Sequence, residues 1–498
     1  MASLPDLETY RREAEAFTEA LNRAWYEHSA GLNPELPIDD IYERYRDLFT
    51  PEVAQAFLEA AADTSGDRAR SYRALGVFAV DGAIGAASRV QTRAVTELEA
   101  STVVDWDGAQ VGFRQVPVLI ENDDDRERRS TLSARWHRVL DQELNPAYRE
   151  TWDLRHEAAT SLGAPSYRAL FEQASGLDYS HLARQATDFL GTTESLFERA
   201  LDGALRENGG VGLGGADQSD IARLIRSGHY DDRFPTKHML GIFHKTLDDL
   251  GFELRKQPQI HLDLEARPGK DSRAFCAPVR VPGEIYLVMA PSGGLADYGA
   301  LFHEAGHAEH FACMSPDLPF EFRGLGDNAI TESFAFTMEW LLRDPVWLEY
   351  TLGGRDNDDI VAHLALQNLY YQRRYSAKLL YELEFHGDGV DSSGDRYAEL
   401  LTGALRIEWP NERHLADIDE SFYVLAYLRA WAVATSLGVQ LRDRFGKRWF
   451  TQKKAGYFLR EIWEDGQRLT AEELAGELDL PRPDLMILAE DAERLLGR

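Results

Sequence analysis

Apolar residues recur at helical spacing over most of the chain. Leu7 to Tyr26 places them three and four apart among charges, which predicts an amphipathic helix. Pro51-Glu52 follows Thr50 and predicts a second helix, with threonine as N-cap and proline at the first helical position. The alanine-rich stretch from Ser71 to about Glu99 keeps the same character. The period then changes. Thr102–Trp106 and Gln110–Ile120 are β-branched runs on either side of Asp107-Gly108, which predicts a hairpin. Helical patterns resume from Ser130 to about Glu207, with breaks at Gly163-Ala164-Pro165 and at Gly176.

The glycine-rich stretch Asn208–Gly215 reads as a linker. It divides the chain into a mainly helical N-terminal lobe, residues 1–210, and a second lobe, residues 211–498. A helix is expected around Pro235–Leu250. Three short strands follow, Gln259–Leu264, Ala274–Val281 and Glu284–Met289, and form a small sheet. From about Leu295 the pattern is helical to the end. The apolar run Tyr423–Val439 contains Arg429 and reads as a buried helix. The acidic stretch Gly387–Asp395 lacks the spacing of a calcium loop and is expected to be an ordinary loop. The predicted fold class is mainly α, with a small β-sheet ahead of the longest helical region.

At 498 residues the chain can bury a large core, in keeping with more than one lobe. The formal net charge of −30 argues against nucleic acid and anionic membrane as partners. The chain has two cysteines, Cys276 and Cys313, too few for a disulfide framework. The N-terminus is charged from the first helix and has no apolar signal core. Together these features point to the cytoplasm.

The chemistry concentrates in Leu301–His310, which contains H-E-x-x-H as His303, Glu304 and His307. On a helix, positions i and i+4 share a face, so both imidazoles can reach one ion. Two neutral imidazoles and a carboxylate suit Zn²⁺, one ion per chain. Glu304 stands beside the first histidine, where it can take a proton from water. Random placement of 14 histidines in this chain gives roughly 0.03 such matches.

A third ligand is needed, and Glu332 is the candidate. It lies among Ile330, Phe334 and Phe336 on a helix that Asp327 or Asn328 can cap. A carboxylate in such a setting needs a partner, and a metal is one. Glu339, two turns on, can accept from the outer nitrogen of a ligating histidine. His310 is expected to be a supporting or satisfied polar residue. Gly306 inside the helix implies a close approach by substrate or by a neighbouring element. Tyr423, Tyr427, Ala430 and Ala434 form one helical stripe, read equally well as core or as phenols facing a cleft.

These segments resemble the thimet oligopeptidase and oligoendopeptidase F group of zinc metallopeptidases. His303–His310 is similar to that group's H-E-x-G-H-x-x-H. The 25-residue gap from His307 to Glu332 matches the group's glutamate ligand, and Glu339 matches its second glutamate. Arg267-Pro268-Gly269-Lys270 and Asp297 match upstream positions. The segment His414–Tyr427 resembles the group's His/Tyr segment, although Asp417 and Asp419 stand where glycines are usual. The resemblance spans about residues 235–445.

It implies a two-lobed helical fold with a deep channel and the metal at its floor. It further implies hydrolysis of internal bonds in short peptides, with Glu304 as general base and His303, His307 and Glu332 as ligands. Tyr427 or Tyr423, helped by His414, would stabilise the oxyanion. A strand around Arg280–Tyr286 could pair with an extended peptide. Two other readings fit parts of the pattern. One is a carboxypeptidase or dipeptidyl carboxypeptidase on the same fold, with Arg429 or Arg280 receiving the terminal carboxylate. The other is a helical peptide-binding protein without catalysis.

Overall fold

The structure is a computed structural model that describes residues 4–354, 357–387 and 393–497. It is mainly helical, with one hairpin and one three-stranded sheet among the described residues. The chain divides into two compact units, each assembled from three stretches. Unit one is Met1–Ala83, Tyr230–Val361 and Leu425–Ile487. Unit two is Ile84–His229, Ala362–Val424 and Leu488–Arg498. The expected division at residue 210 falls inside unit two.

In unit one the Leu7–Ser29 helix starts at Asp6, whose side chain accepts from Thr9 N at 3.0 Å. Its first half presents Tyr10, Ala14 and Phe17, at i, i+4 and i+7, to a core containing Phe49, Phe57, Tyr72 and Phe320. Its second half lies on the sheet. That sheet has the order β3-β5-β4, with β3 as Ile260–Asp263, β4 as Phe275–Arg280 and β5 as Glu284–Val288. β3 and β5 are parallel, and β4 and β5 antiparallel.

Strand β5 is covered on both faces, which explains the run Ile285–Val288 after Glu284. Ile285 packs with Ala308 and Phe311 of the Leu295–Cys313 helix. Val288, on the opposite face, packs with Tyr26 and Ala30. Tyr286 on that same face stacks on Tyr26, with centroids 3.9 Å apart. Being central, β5 has no free edge. Strand addition by a peptide over Arg280–Tyr286 is therefore corrected: the available edges belong to β3 and β4.

The Arg267–Lys270 segment is a clasp within this unit. Lys270 Nζ donates to the carbonyls of Asp263 at 2.8 Å, Glu265 at 2.8 Å and Met289 at 3.0 Å. It also pairs with the Asp263 carboxylate at 3.0 Å. Arg267 Nε donates to Ala30 O at 2.9 Å. Gly31, at φ +70°, lets the two backbones meet; a Cβ there would lie 2.7 Å from Lys270 N.

Unit two contains the predicted hairpin, β1 (Val103–Trp106) and β2 (Ala109–Gly112), joined by Asp107-Gly108. Both turn residues have positive φ, 51° and 78°, as a type I′ turn requires. The second run ends at Gly112, not Ile120. Val116–Asn122 is a helix with Pro117 in its first turn, because proline cannot donate to a strand ladder. Val116 and Ile120 then bury one turn apart beside Leu132 and Trp136.

The long Tyr179–Gly209 helix is stopped by Gly210 in the left-handed region, and Leu213–Gly215 forms a short 3₁₀ turn. The glycine-rich stretch is thus a helix stop within unit two. The predicted breaks at Gly163–Pro165 and Gly176 also end helices there. Of the predicted Gly387–Asp395 loop, residues 388–392 lie outside the described residues.

Burial holds two histidines of unit two neutral, lowering His137 to about 4 and His386 well below its ordinary value. The unfolded chain binds protons below about pH 6.5 that these folded side chains refuse, so stability is lost as pH falls through that point. The expected loss is about 1.4 kcal/mol per pH unit per histidine. It is checked by urea midpoints at pH 7 and pH 5.

Candidate metal centre

The Leu295–Cys313 helix is entered through Gly293 and Gly294, both at positive φ. Asp297 holds that turn: its Oδ2 accepts from Ser292 N at 2.6 Å and Gly293 N at 2.8 Å. The helix lies against the Asn328–Glu339 helix, whose N-cap is Asp327, accepting from Ala329 N at 3.0 Å. The crossing point is Gly306. A Cβ there would lie 2.5 Å from Ala335 Cα and 2.7 Å from Phe334 O. The expected close approach is therefore that of the neighbouring helix.

That contact brings His303, His307 and Glu332 together. His303 Nε2 is 3.5 Å and His307 Nε2 3.7 Å from Glu332 Oε2. One ligand atom from each lies within 4.8 Å of the others. The outer nitrogens are engaged elsewhere. His303 Nδ1 meets Glu339 Oε2 at 2.8 Å, and His307 Nδ1 meets Thr331 Oγ1 at 2.8 Å. Both imidazoles are thereby turned with Nε2 toward the shared carboxylate.

The donor set fits a divalent cation with nitrogen and oxygen preference. Burial lowers His307 to about 4 even though Glu332 opposes it, so this ligand is neutral. Burial also acts against charge on His303, but the contacts with Glu332 and Glu339 outweigh it and hold its pKa well above the ordinary value. Two carboxylates that favour a proton on His303 favour a cation there equally. Burial pushes Glu304 up to about 7, helped by Glu332 and opposed by His303 and by the Cys276 backbone N–H of β4.

Metal uptake must displace the proton on His303. Apparent zinc affinity should fall tenfold for each pH unit below the pKa of that histidine. Glu339→Gln should lower the affinity by about 10- to 100-fold and weaken the pH dependence. Chelator competition between pH 6 and pH 8 measures both.

The remaining candidates fall in different places. Tyr427 belongs to unit one; its ring is 6.0 Å from Phe336, which stands edge-on to His303 at 4.8 Å. Tyr423 and His414 belong to unit two. His414 Nδ1 meets Asn411 O at 2.9 Å, and its Nε2 meets Arg149 at 3.3 Å. Asp417 there accepts from Tyr397 OH at 2.6 Å and pairs with Arg374, while Asp419 pairs with Lys378 at 2.6 Å. These aspartates are the charge partners of buried cations.

His310 is fully buried beside Phe311 and Phe334, close to the Gly466 backbone, and is not among the three residues that converge. Arg429 is 3% exposed and committed to Asp327 at 2.6 Å and Glu472 at 2.5 Å. It cannot receive a peptide carboxylate, which corrects that part of the exopeptidase reading. Sequence reasoning missed Thr331 and the aromatic wall of Phe336, Trp340 and Trp431. The wall carried a signal, since Phe336 and Trp340, like Tyr427 and Trp431, are spaced i, i+4. Thr331 carried none beyond adjacency to Glu332.

No family model and no curated protein matches the sequence. Among solved structures the chain is similar to one described as PZ peptidase A with inhibitor 2. The TM-score is 0.63 at 16% identity, covering 100% of this chain and 89% of that one. The likeness establishes the fold: this chain has the helical architecture of that peptidase over its whole length.

Proposed function

We propose that this protein is a zinc-dependent oligopeptidase that cleaves internal bonds of short peptides. The observation that carries the reading is the convergence of His303 Nε2, His307 Nε2 and the Glu332 carboxylate, with both outer nitrogens already engaged. The fold shared with a peptidase supports it. A Zn²⁺ ion held by these three residues supplies Lewis acidity and an acidified water.

Glu304 acts as general base, taking the proton from the attacking water and passing it to the leaving amine. Burial raises its carboxyl and a neighbouring cation opposes that rise, so Glu304 can both take up the proton and release it. Tyr427, in the same unit as the ligand set, donates its phenol to the developing oxyanion; His414 has both ring nitrogens engaged by Asn411 and Arg149 and no N–H left to donate. The proposed setting is the cytoplasm.

Mass spectrometry of a peptide library digested with and without chelator tests the reading. Internal cleavages should disappear with chelator and return with zinc, at one ion per chain. A protein without stoichiometric metal, or cleavage that survives its removal, overturns it. Comparing free with C-terminally amidated peptides decides against exopeptidase action if cleavage persists on amidation.

A further inference from the structure

Unit one contains a concavity of about 430 Å³ on the far face of the Asn328–Glu339 helix. Ile330 and Phe334 of that helix line it. At about 100° per residue, Glu332 projects from the side opposite to both. One helix therefore separates the cavity from the metal residues. The volume lies within the range of small-molecule sites, roughly 300–1,000 Å³.

The lining has three chemistries. Phe334, Phe458 and Leu474 supply apolar wall. Arg444 is the cation among the lining residues. Its guanidinium lies over the Phe458 ring at 4.4 Å and forms no ion pair among the described residues. Glu461 is likewise without an ion pair among the described residues; Asp479 also lines the cavity, as do Asp465 and Glu477, which pair with Arg468 at 2.7 and 4.0 Å. Gln440 donates to Leu478 O at 2.5 Å, and its Oε1 is a buried acceptor without a partner.

From this arrangement we infer that the cavity is an effector site for a small zwitterion with an apolar side chain, a free α-amino acid of the leucine type. Arg444 takes the carboxylate, Glu461 and Gln440 Oε1 take the ammonium group, and the aromatic wall takes the side chain. Arg444 calls for an anionic group in the occupant, and Glu461 and Asp479 call for a cationic one. The binding claim is independent of the metal reading. The effector role rests on it, because occupancy acts through the helix that carries Glu332.

Calorimetry on the full-length protein tests the site, with L-leucine, L-leucinamide and N-acetyl-L-leucine as probes. L-Leucine should bind saturably at one site. The amide lacks the carboxylate and the acetyl derivative lacks the ammonium group, so each should bind at least tenfold more weakly. Arg444→Ala and Glu461→Gln, both at exposed positions, should each weaken L-leucine binding at least tenfold with zinc content unchanged. Binding should persist after chelator treatment, which separates this site from the metal centre. Absence of saturable binding, equal binding of all three probes, or unchanged binding by both variants overturns the site. In the zinc-loaded protein, leucine should change the rate of metal release to a chelator at least twofold. An unchanged rate overturns the effector role.

Discussion

Glu304→Gln should leave zinc bound and abolish most hydrolysis of short peptides, by about 10²- to 10⁴-fold. The substitution keeps shape and removes the ability to accept a proton. Three features make so large an effect expected. Glu304 precedes no ligand contact of its own, since the residues that converge are His303, His307 and Glu332. It is buried, and burial pushes its carboxyl up to about 7, so a neutral amide is tolerated where an ionised group is costly. Its contact with the Cys276 backbone N–H can be kept by the amide oxygen. A cation beside Glu304 draws its pKa below 7, so wild-type kcat/KM should rise with pH through an acidic limb below neutrality. That limb should be missing from the residual activity of the variant. Zinc stoichiometry and the pH profile, measured together, separate loss of the base from loss of the metal. Retention of wild-type turnover with zinc bound would remove Glu304 from the mechanism.

The parts of the fold and site that could be read from sequence are those governed by local rules. Spacing in one helix placed His303, Glu304 and His307 on or beside one face, and residue type placed Glu332 and Glu339 nearby. Thr50, Asp327 and Asp107-Gly108 acted as caps and turn where short-range chemistry says they should. What escaped the reading depends on contacts between distant segments. Gln110–Ile120 has strand-like composition, but Pro117 and the burial of Val116 and Ile120 beside Trp136 decide for a helix after Gly112.

β5 could not be recognised as the central strand, because strand order is set by the parallel pairing with β3 across some twenty residues of intervening chain. Arg429 looked available as a cation until Asp327 and Glu472 were brought to it from 102 and 43 residues away. A linear cut in the glycine-rich stretch failed to anticipate that residues 1–83 share a unit with the metal helices. The Leu7–Ser29 helix is tied there by Asn22 to Pro278 at 3.0 Å and Arg23 to Glu284 at 2.9 Å, pairings that no local pattern encodes.

Gly306→Ala should cost the protein its metal site while Gly299→Ala, seven residues earlier in the same helix, should be harmless or stabilising. Both glycines sit in helix interior, where alanine is intrinsically favoured by about 1 kcal/mol. Around Gly299 a new Cβ meets nothing within 4 Å, so the propensity gain stands alone. At Gly306 the same atom would sit 2.5 Å from Ala335 Cα, 2.7 Å from Phe334 O and 2.9 Å from Ala335 N. All three are backbone atoms and cannot rotate aside, so the helices must separate. Overpacking of this kind costs typically 1–3 kcal/mol, which cancels or exceeds the propensity gain. The separation acts directly on the ligand set, because Glu332 rides on one helix and both histidines on the other. Affinity for zinc should fall by at least the 10- to 100-fold associated with lost supporting contacts, with far-ultraviolet circular dichroism unchanged. Chelator competition and thermal denaturation on the two variants provide the comparison. Equal zinc affinity in both would mean that the helix crossing at Gly306 does not set the distance between His303, His307 and Glu332.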